Sequence, residues 1–184
     1  MSGVEAAALV DPVAGRGVAG VSRGVGGAGR VLPVAGPLAE LLPYGGLRRG
    51  ATASVTASVG LLVGLLAGAS ASGAWCAVAG LPQLGLLACD EAGVDLGRLV
   101  LAPGTDWPTA ATALLDGCDL VAVAAASVTA QAARRLSLRA RHRGAVLVGF
   151  GCAWPGSEVV LTPTESRWHG LGAGEGRLRH REVT

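Results

Sequence analysis

The chain has no lysine, no isoleucine and no asparagine, and aromatic residues fill only 3% of its 184 positions. Without lysine it lacks the ammonium group that a phosphate loop of the form G-x-x-x-x-G-K-[ST] sets against a nucleotide. The arginine-rich stretch Thr129–Arg143 interleaves no aromatics of the kind that favour single-stranded nucleic acid, and with so few aromatics overall the core must come from Ala, Val and Leu. Clustered cysteines are missing too. Cys76, Cys89, Cys118 and Cys152 are dispersed, with no C-x-x-C or Cys/His ligand spacing, which fits buried thiols in a reducing cytosol rather than zinc or disulfides.

Charge is absent from Ala51 to Cys89, a stretch that opens behind Arg48-Arg49. A membrane span behind a basic anchor is one reading. A span, however, needs about 20 consecutive apolar residues, and Val59–Ala69 gives way to the small polar run SASG. The mean hydropathy of +0.50 and the 30 glycines reflect a composition dominated by Ala, Gly, Val, Leu and Arg. A soluble α/β interior accounts for the same order of residues without a membrane. Residues 1–32 carry Glu5, Asp11, Arg16, Arg23 and Arg30 among Gly, Ala and Val with no continuous apolar segment, and are expected to be a flexible leader to a core domain over 33–184, with no targeting signal.

Along that domain, short apolar runs alternate with helical segments. A short helix is expected over Pro37–Leu42, a strand over Ala51–Thr56, a helix over Val59–Ser72 and a strand over Trp75–Ala79. A helix over Leu84–Ala92, a strand over Arg98–Ala102 and a helix over Thr109–Leu115 follow. The strand Leu120–Ala124, the long helix Thr129–Arg143 and the strand Ala145–Phe150 complete the alternation. After Trp154-Pro155-Gly156, the segments Glu158–Thr162, Arg167–Leu171 and Arg177–Val183 read as hairpin strands. Strands alternating with helices imply right-handed crossovers and a mainly parallel sheet, here with a C-terminal antiparallel hairpin extension.

The segments GLRRGATASV, GAWCAVAGLPQLGLLACDEAGVDLGRLVLAP, GCDLVAVAAA and TAQAARRLSLRARHRGAVLVGF, in that order, resemble the core of RecA. Within that superfamily they are most similar to the ImuA′ family, the accessory proteins of actinobacterial mutasomes. The resemblance runs from about Pro33 to Val183, and EAGVDLGRLVLAP is its most specific part. It implies a three-layer RecA-like, P-loop-type core. It also locates four nucleotide-handling positions, and at each the expected residue is missing. The phosphate loop is cut to Ala57-Ser58, with Ser58 nearest the lysine position. The water-polarising acid would fall near Pro82, the metal-binding aspartate at Ala124 or Ala125, and the sensor glutamine at Gly151 or Cys152. The resemblance therefore implies a scaffold without ATPase chemistry, cytoplasmic and free of cofactor. It would act in the DNA damage response by docking onto a Y-family polymerase-like subunit, and through it onto an error-prone replicative-type polymerase and the sliding clamp.

Charge supplies a competing reading. Residues 51–127 hold one Arg against six acids, residues 128–184 nine against four, and a basic third suits an anionic ligand or an acidic partner. On the helix Thr129–Arg143, Arg135, Arg139 and Arg143 share one face, flanked by Arg134 and Arg141. That face could meet DNA phosphates directly, or it could be a solvated outer surface. The tail from Trp154 to Arg181 adds Trp154, Arg167, Trp168, Arg177 and Arg179, residue types that anchor protein interfaces, although Trp168 could equally pack the hairpin onto the sheet. A residual ATPase with an unusual site is the third reading.

Overall fold

The computed structural model describes residues 8–10, 30–104, 106–171 and 176–183. In chain order its elements are β1 (Ala8–Val10), β2 (Val31–Pro33), α1 (Gly36–Leu41), β3 (Gly46–Arg48), β4 (Thr52–Val55), α2 (Val59–Ala71) and β5 (Cys76–Ala79). There follow α3 (Leu86–Glu91), a 3₁₀ turn (Leu96–Arg98), β6 (Leu99–Ala102), α4 (Trp107–Gly117), β7 (Leu120–Ala124), α5 (Ala130–Arg143) and β8 (Val146–Phe150). The last three strands are β9 (Val159–Leu161), β10 (Ser166–Leu171) and β11 (Gly176–Val183).

Six strands form one sheet in the order β6-β5-β7-β8-β4-β9, and every pairing in it is parallel. Two small antiparallel sheets accompany it, β2-β3 and β1-β11-β10. The hairpin expected at the C-terminus is therefore present as β10 and β11. Glu158–Thr162 is not part of it: β9 instead extends the parallel sheet beyond β4, with Ala53, Ser54 and Val55 opposite Val159, Val160 and Leu161. Of the segment read as a leader, Ala8–Val10 pairs with Arg181–Val183 of β11 and Val31–Pro33 with β3; the remainder, apart from Arg30, lies outside the described residues.

Side chains alternate across the sheet with the period of two that a strand imposes. Ala53, Val55, Cys76, Val78, Leu120, Ala122, Val146 and Val148 join one buried cluster with residues of α1, α2 and α3. Ala77, Val121, Val123 and Leu147 join a second with Ala111 and Leu115 of α4, Ala133, Leu136 and Ala140 of α5, and Trp154. The sheet is thus the middle of three layers. The crossovers through α2 and α3 run toward β6 on one face, and those through α4 and α5 run back toward β4 on the other. Reversing direction and face together keeps every β-α-β connection of one hand, the right-handed one that twisted strands enforce.

The uncharged run finds its explanation in α2. A helix apolar on all sides is stable only when covered on all sides, and Leu61–Ala67, Ala69 and Ser70 are buried. One side lies on the sheet, and the segment from Leu32 to Leu42 covers the other. Gly64 admits Leu38, whose Cδ1 is 2.8 Å from where a Gly64 Cβ would stand, and a Cβ on Gly68 would strike the backbone at Val34 and Ala35. Among the described residues no helix is long and apolar enough to cross a membrane.

Candidate functional site

In open parallel α/β sheets ligands gather outside the carboxyl ends of the strands. The register aligns those ends here: Val55 lies opposite Phe150 and Leu161, Ala79 opposite Ala102 and Val123, and Ala124 opposite Phe150. The four positions singled out in the sequence follow these ends directly, Ser58 after β4, Pro82 after β5, Ala124 and Ala125 at β7, and Gly151 and Cys152 after β8. They share one edge of the sheet, and what they present there is small and apolar. In the segments 56–58, 80–85, 102–106, 124–129 and 151–157 the one charged residue is Asp106, and its carboxylate accepts from Thr109 N–H as the N-cap of α4.

The β4–α2 connection is three residues long, Thr56, Ala57 and Ser58, too short for an eight-residue phosphate loop. Ala57 makes the turn with φ 55, the one left-handed non-glycine residue among those described. Ser58 is buried, and its hydroxyl accepts from Leu61 N–H at 3.3 Å, so a helix N-terminus of the kind that receives phosphate is capped by its own chain. Thr56 closes the turn from the side: its N–H donates to the Leu161 carbonyl at 3.0 Å and its hydroxyl to Thr162 Oγ1 at 2.8 Å.

Charge collects at the opposite edge and on α5. At the amino ends of β5 and β7, Asp119 receives Arg49 Nη1 at 2.7 Å and Trp75 N–H at 2.9 Å. Burial would raise this carboxyl, but the Arg49 hydrogen bond, the Trp75 N–H and the Arg49 charge outweigh it and hold it below the ordinary carboxylate range. Arg139 and Arg143 of the expected arginine face are engaged within the chain, both on Asp116 of α4, with Nε distances of 2.9 and 3.1 Å. The Arg139 hydrogen bond leads the causes that lower the Asp116 carboxyl. Arg134, Arg135 and Arg141 are exposed and carry no ion pair among the described residues.

Trp154 is a core residue, 2% exposed, and not an interface anchor. It packs edge-on against Trp107 at 6.1 Å between centroids, and its backbone N–H donates to Ser54 Oγ at 2.8 Å. Ser54 Oγ in turn lies 2.6 Å from Ser157 Oγ, and Ser157 donates to the Trp154 carbonyl. A buried polar pin thus fastens the loop 151–157 to β4. Trp168 is exposed over 55% of its surface and stands opposite Arg181 on the small antiparallel sheet. Arg177 and Arg179 are on β11, and their side chains lie outside the described residues. The predicted residues therefore fall on two different sheets' elements, the α5 arginines beside the main sheet and Trp168, Arg177 and Arg179 on the small one.

Sequence reasoning missed Asp116, the Ser54–Ser157 pin and a groove along α5. The groove, about 240 Å³, lies between α5 and the loop before β9. Its sequence signal was faint: Leu138, a leucine among the arginines of ARRLSLRARHR, is 54% exposed. Cys76 and Cys89 are buried as expected, while Cys118 and Cys152 are partly exposed. Burial pushes the Cys76 thiol up to about 12, which makes it inert at neutral pH.

Residues 40–156 match the family model described as the MT3502 N-terminal domain. The chain belongs to that family. Among curated proteins it is 40% identical over 96 residues to the uncharacterized protein Rv3395c of Mycobacterium tuberculosis, an alignment covering 50% of this chain and 47% of that one. The chain thus aligns with about half the length of the curated relative it matches. Among solved structures, SulA from Pseudomonas aeruginosa aligns with a TM-score of 0.48 at 17% identity, over 55% of this chain and 98% of SulA.

Proposed function

We propose that this member of the MT3502 N-terminal domain family is a non-catalytic, RecA-like accessory protein of an error-prone translesion DNA synthesis complex in the DNA damage response. It acts in the cytoplasm by docking onto a Y-family polymerase-like subunit, which in turn engages the error-prone replicative-type polymerase and the sliding clamp. The observation that carries the reading is the carboxyl edge of the main sheet. There Ser58, Pro82, Ala124, Ala125, Gly151 and Cys152 occupy the places where a RecA-like enzyme would hold its lysine, acids and glutamine. Phosphoryl transfer rests on positioned charge, and the one charged residue of these segments, Asp106, caps α4. The resembling segments add support, since they supply β4 through β8, five adjacent strands of the main sheet.

Two measurements test the reading. Co-expression with the polymerase-like subunit is expected to give a complex that survives size-exclusion chromatography at micromolar concentration, and a protein that elutes alone would overturn the docking role. A ligand that binds the native state raises the melting temperature, its stabilisation growing as the logarithm of ligand concentration over Kd. The melting temperature is expected to stay flat across millimolar ATP and magnesium, and a rise of several degrees would return the ATPase to consideration. Direct DNA binding through Arg135, Arg139 and Arg143 has weaker support, because Asp116 already holds two of the three.

A further inference from the structure

We infer that the groove along α5 is a docking site for an extended acidic peptide segment carrying an apolar anchor, supplied by a partner protein. The inference deepens the docking role proposed above and rests on it for the partner's identity, but the groove's chemistry stands on its own geometry. One wall is α5. Arg134 and Arg141 are seven residues apart, two helical turns on the same side and about 10.5 Å along the axis, with Ser137 and Leu138 between them. The other wall is Pro155-Gly156, held rigidly because Trp154 and Ser157 on either side are hydrogen-bonded to β4 or to each other. The end of the groove is bare backbone. Gly50, at φ 78, passes so close to α5 that a Cβ there would be 3.2 Å from Arg141 Cα.

The charges in and around this groove do not cancel. Glu158 lines it but is held by Arg48 through both Nε and Nη2. Thr52 and Ser137 face one another and share a hydrogen bond at 3.0 Å. Arg139 and Arg143 are spent on Asp116. Among the described residues Arg134 and Arg141 have no carboxylate partner, and they flank an exposed leucine. An occupant complementary to this arrangement carries two anionic groups about 10 Å apart, the span of three residues in a polyproline II conformation at about 3.1 Å each, whose three-residue turn puts both on one side, and an apolar side chain for Leu138.

The alternatives fit less well. At about 240 Å³ the groove is smaller than the range of roughly 300–1,000 Å³ usual for small-molecule sites, so a nucleotide has no enclosure. A nucleic-acid backbone would find two cations, a leucine, a proline and a nearby carboxylate, with no aromatic ring in the groove to stack a base.

The test uses the full chain and fluorescence anisotropy with a labelled ten-residue peptide, Asp-Leu-Leu three times over and closed by Asp, which sets its aspartates three residues apart. Comparison probes are the same peptide with lysine for aspartate, the same with serine for leucine, and a labelled single-stranded oligonucleotide. The acidic leucine peptide is expected to bind, the lysine peptide not at all, and the serine peptide more weakly. Arg134→Glu with Arg141→Glu should weaken acidic-peptide binding at least tenfold, Leu138→Ser severalfold, and Arg135→Glu, which lies outside the groove lining, less than twofold; unchanged circular dichroism and melting show that each variant is folded. Absence of binding at millimolar peptide in low salt, equal weakening by Arg135→Glu, or tighter binding of the oligonucleotide lost on Arg134→Glu and Arg141→Glu would each overturn the inference. The two readings separate cleanly. If the polymerase-like subunit still co-purifies with the folded double variant, the groove is not its dock although docking stands. If the peptide binds as expected and the subunit does not, the groove stands and the docking partner is wrong.

Discussion

Gly149 carries a prediction whose size follows from geometry. It lies on β8 beneath the Trp154 ring, and a Cβ at that position would be 2.7 Å from Trp154 Cε3 and 2.9 Å from Trp154 Cβ. Neither atom can yield easily, because the ring is wedged against Trp107 and its backbone is tied to Ser54. Gly149→Ala should therefore destabilise by about 1–3 kcal/mol, the usual cost of forcing one extra carbon into a filled core, even though alanine for glycine in a strand would otherwise help. Trp154→Leu should itself cost about 3 kcal/mol, near the low end of aromatic truncation, and should open the space that the new methyl needs. Placed in that background, Gly149→Ala should cost less than about 0.5 kcal/mol, giving a coupling energy of about 0.5–3 kcal/mol. Urea unfolding followed by circular dichroism reads all four corners of the cycle. If the two costs simply add, the ring is not what excludes a side chain at Gly149. The same pair positions Pro155 and Gly156, so Gly149→Ala should also weaken the acidic-peptide binding described above.

Two further outcomes are expected. Ala57→Gly relieves a left-handed alanine, worth about 1–2 kcal/mol, against a glycine entropy cost of about 0.5–1 kcal/mol; the net gain should raise the melting temperature by about 1–3 °C without conferring ATP-dependent stabilisation, and a loss of stability would show that the turn is not strained there. Asp119→Asn keeps an acceptor for Trp75 N–H but loses the charge facing Arg49, and should cost about 1 kcal/mol at neutral pH for a pair about a third exposed. Because the folded Asp119 pKa is depressed, its contribution is present above the unfolded value of about 3.9 and is lost as pH falls through the folded value. The gap between wild type and variant should therefore close below about pH 4, and a gap that persists at pH 2 would exclude the ion pair as its source.

The strands of the main sheet were legible because buried parallel strands are continuous apolar runs. LVAVA and AVLVGF announce themselves, and the glycines after each helix mark where the chain turns back. Helix α2 was legible as a helix by length but not in its orientation, since a segment buried on both sides has no polar face to report which side meets the sheet. Glu158–Thr162 was misplaced for a related reason. Three residues with mixed exposure look alike whether they pair parallel to β4 or antiparallel to a hairpin neighbour, and only the ladder with Ala53–Val55 decides. The arginine face was read from helical spacing alone, which shows the residues on α5 but not Asp116 arriving from α4. That few charges stand in the segments after these strands was visible in advance, because residue identity needs no coordinates; that those segments meet at one edge of the sheet follows from the register alone. The groove was not visible in advance, since it is made by three segments that converge only in the fold.

The order β8-β4-β9 has a consequence for how the chain assembles. β4 is the first strand of the main sheet to leave the ribosome, yet both of its neighbours come from the far end of the domain, with Thr52 opposite Leu147 and Ala53 opposite Val159. Contacts across such sequence separations must overcome the entropy of closing a long loop before they return any stability. Until then Thr52–Val55 has neither of its strand neighbours, and the core that covers the uncharged helix lacks Val146 and Val148. Folding should therefore be slow and all-or-none, and chains halted before Phe150 should expose their most apolar third to chaperones and proteases.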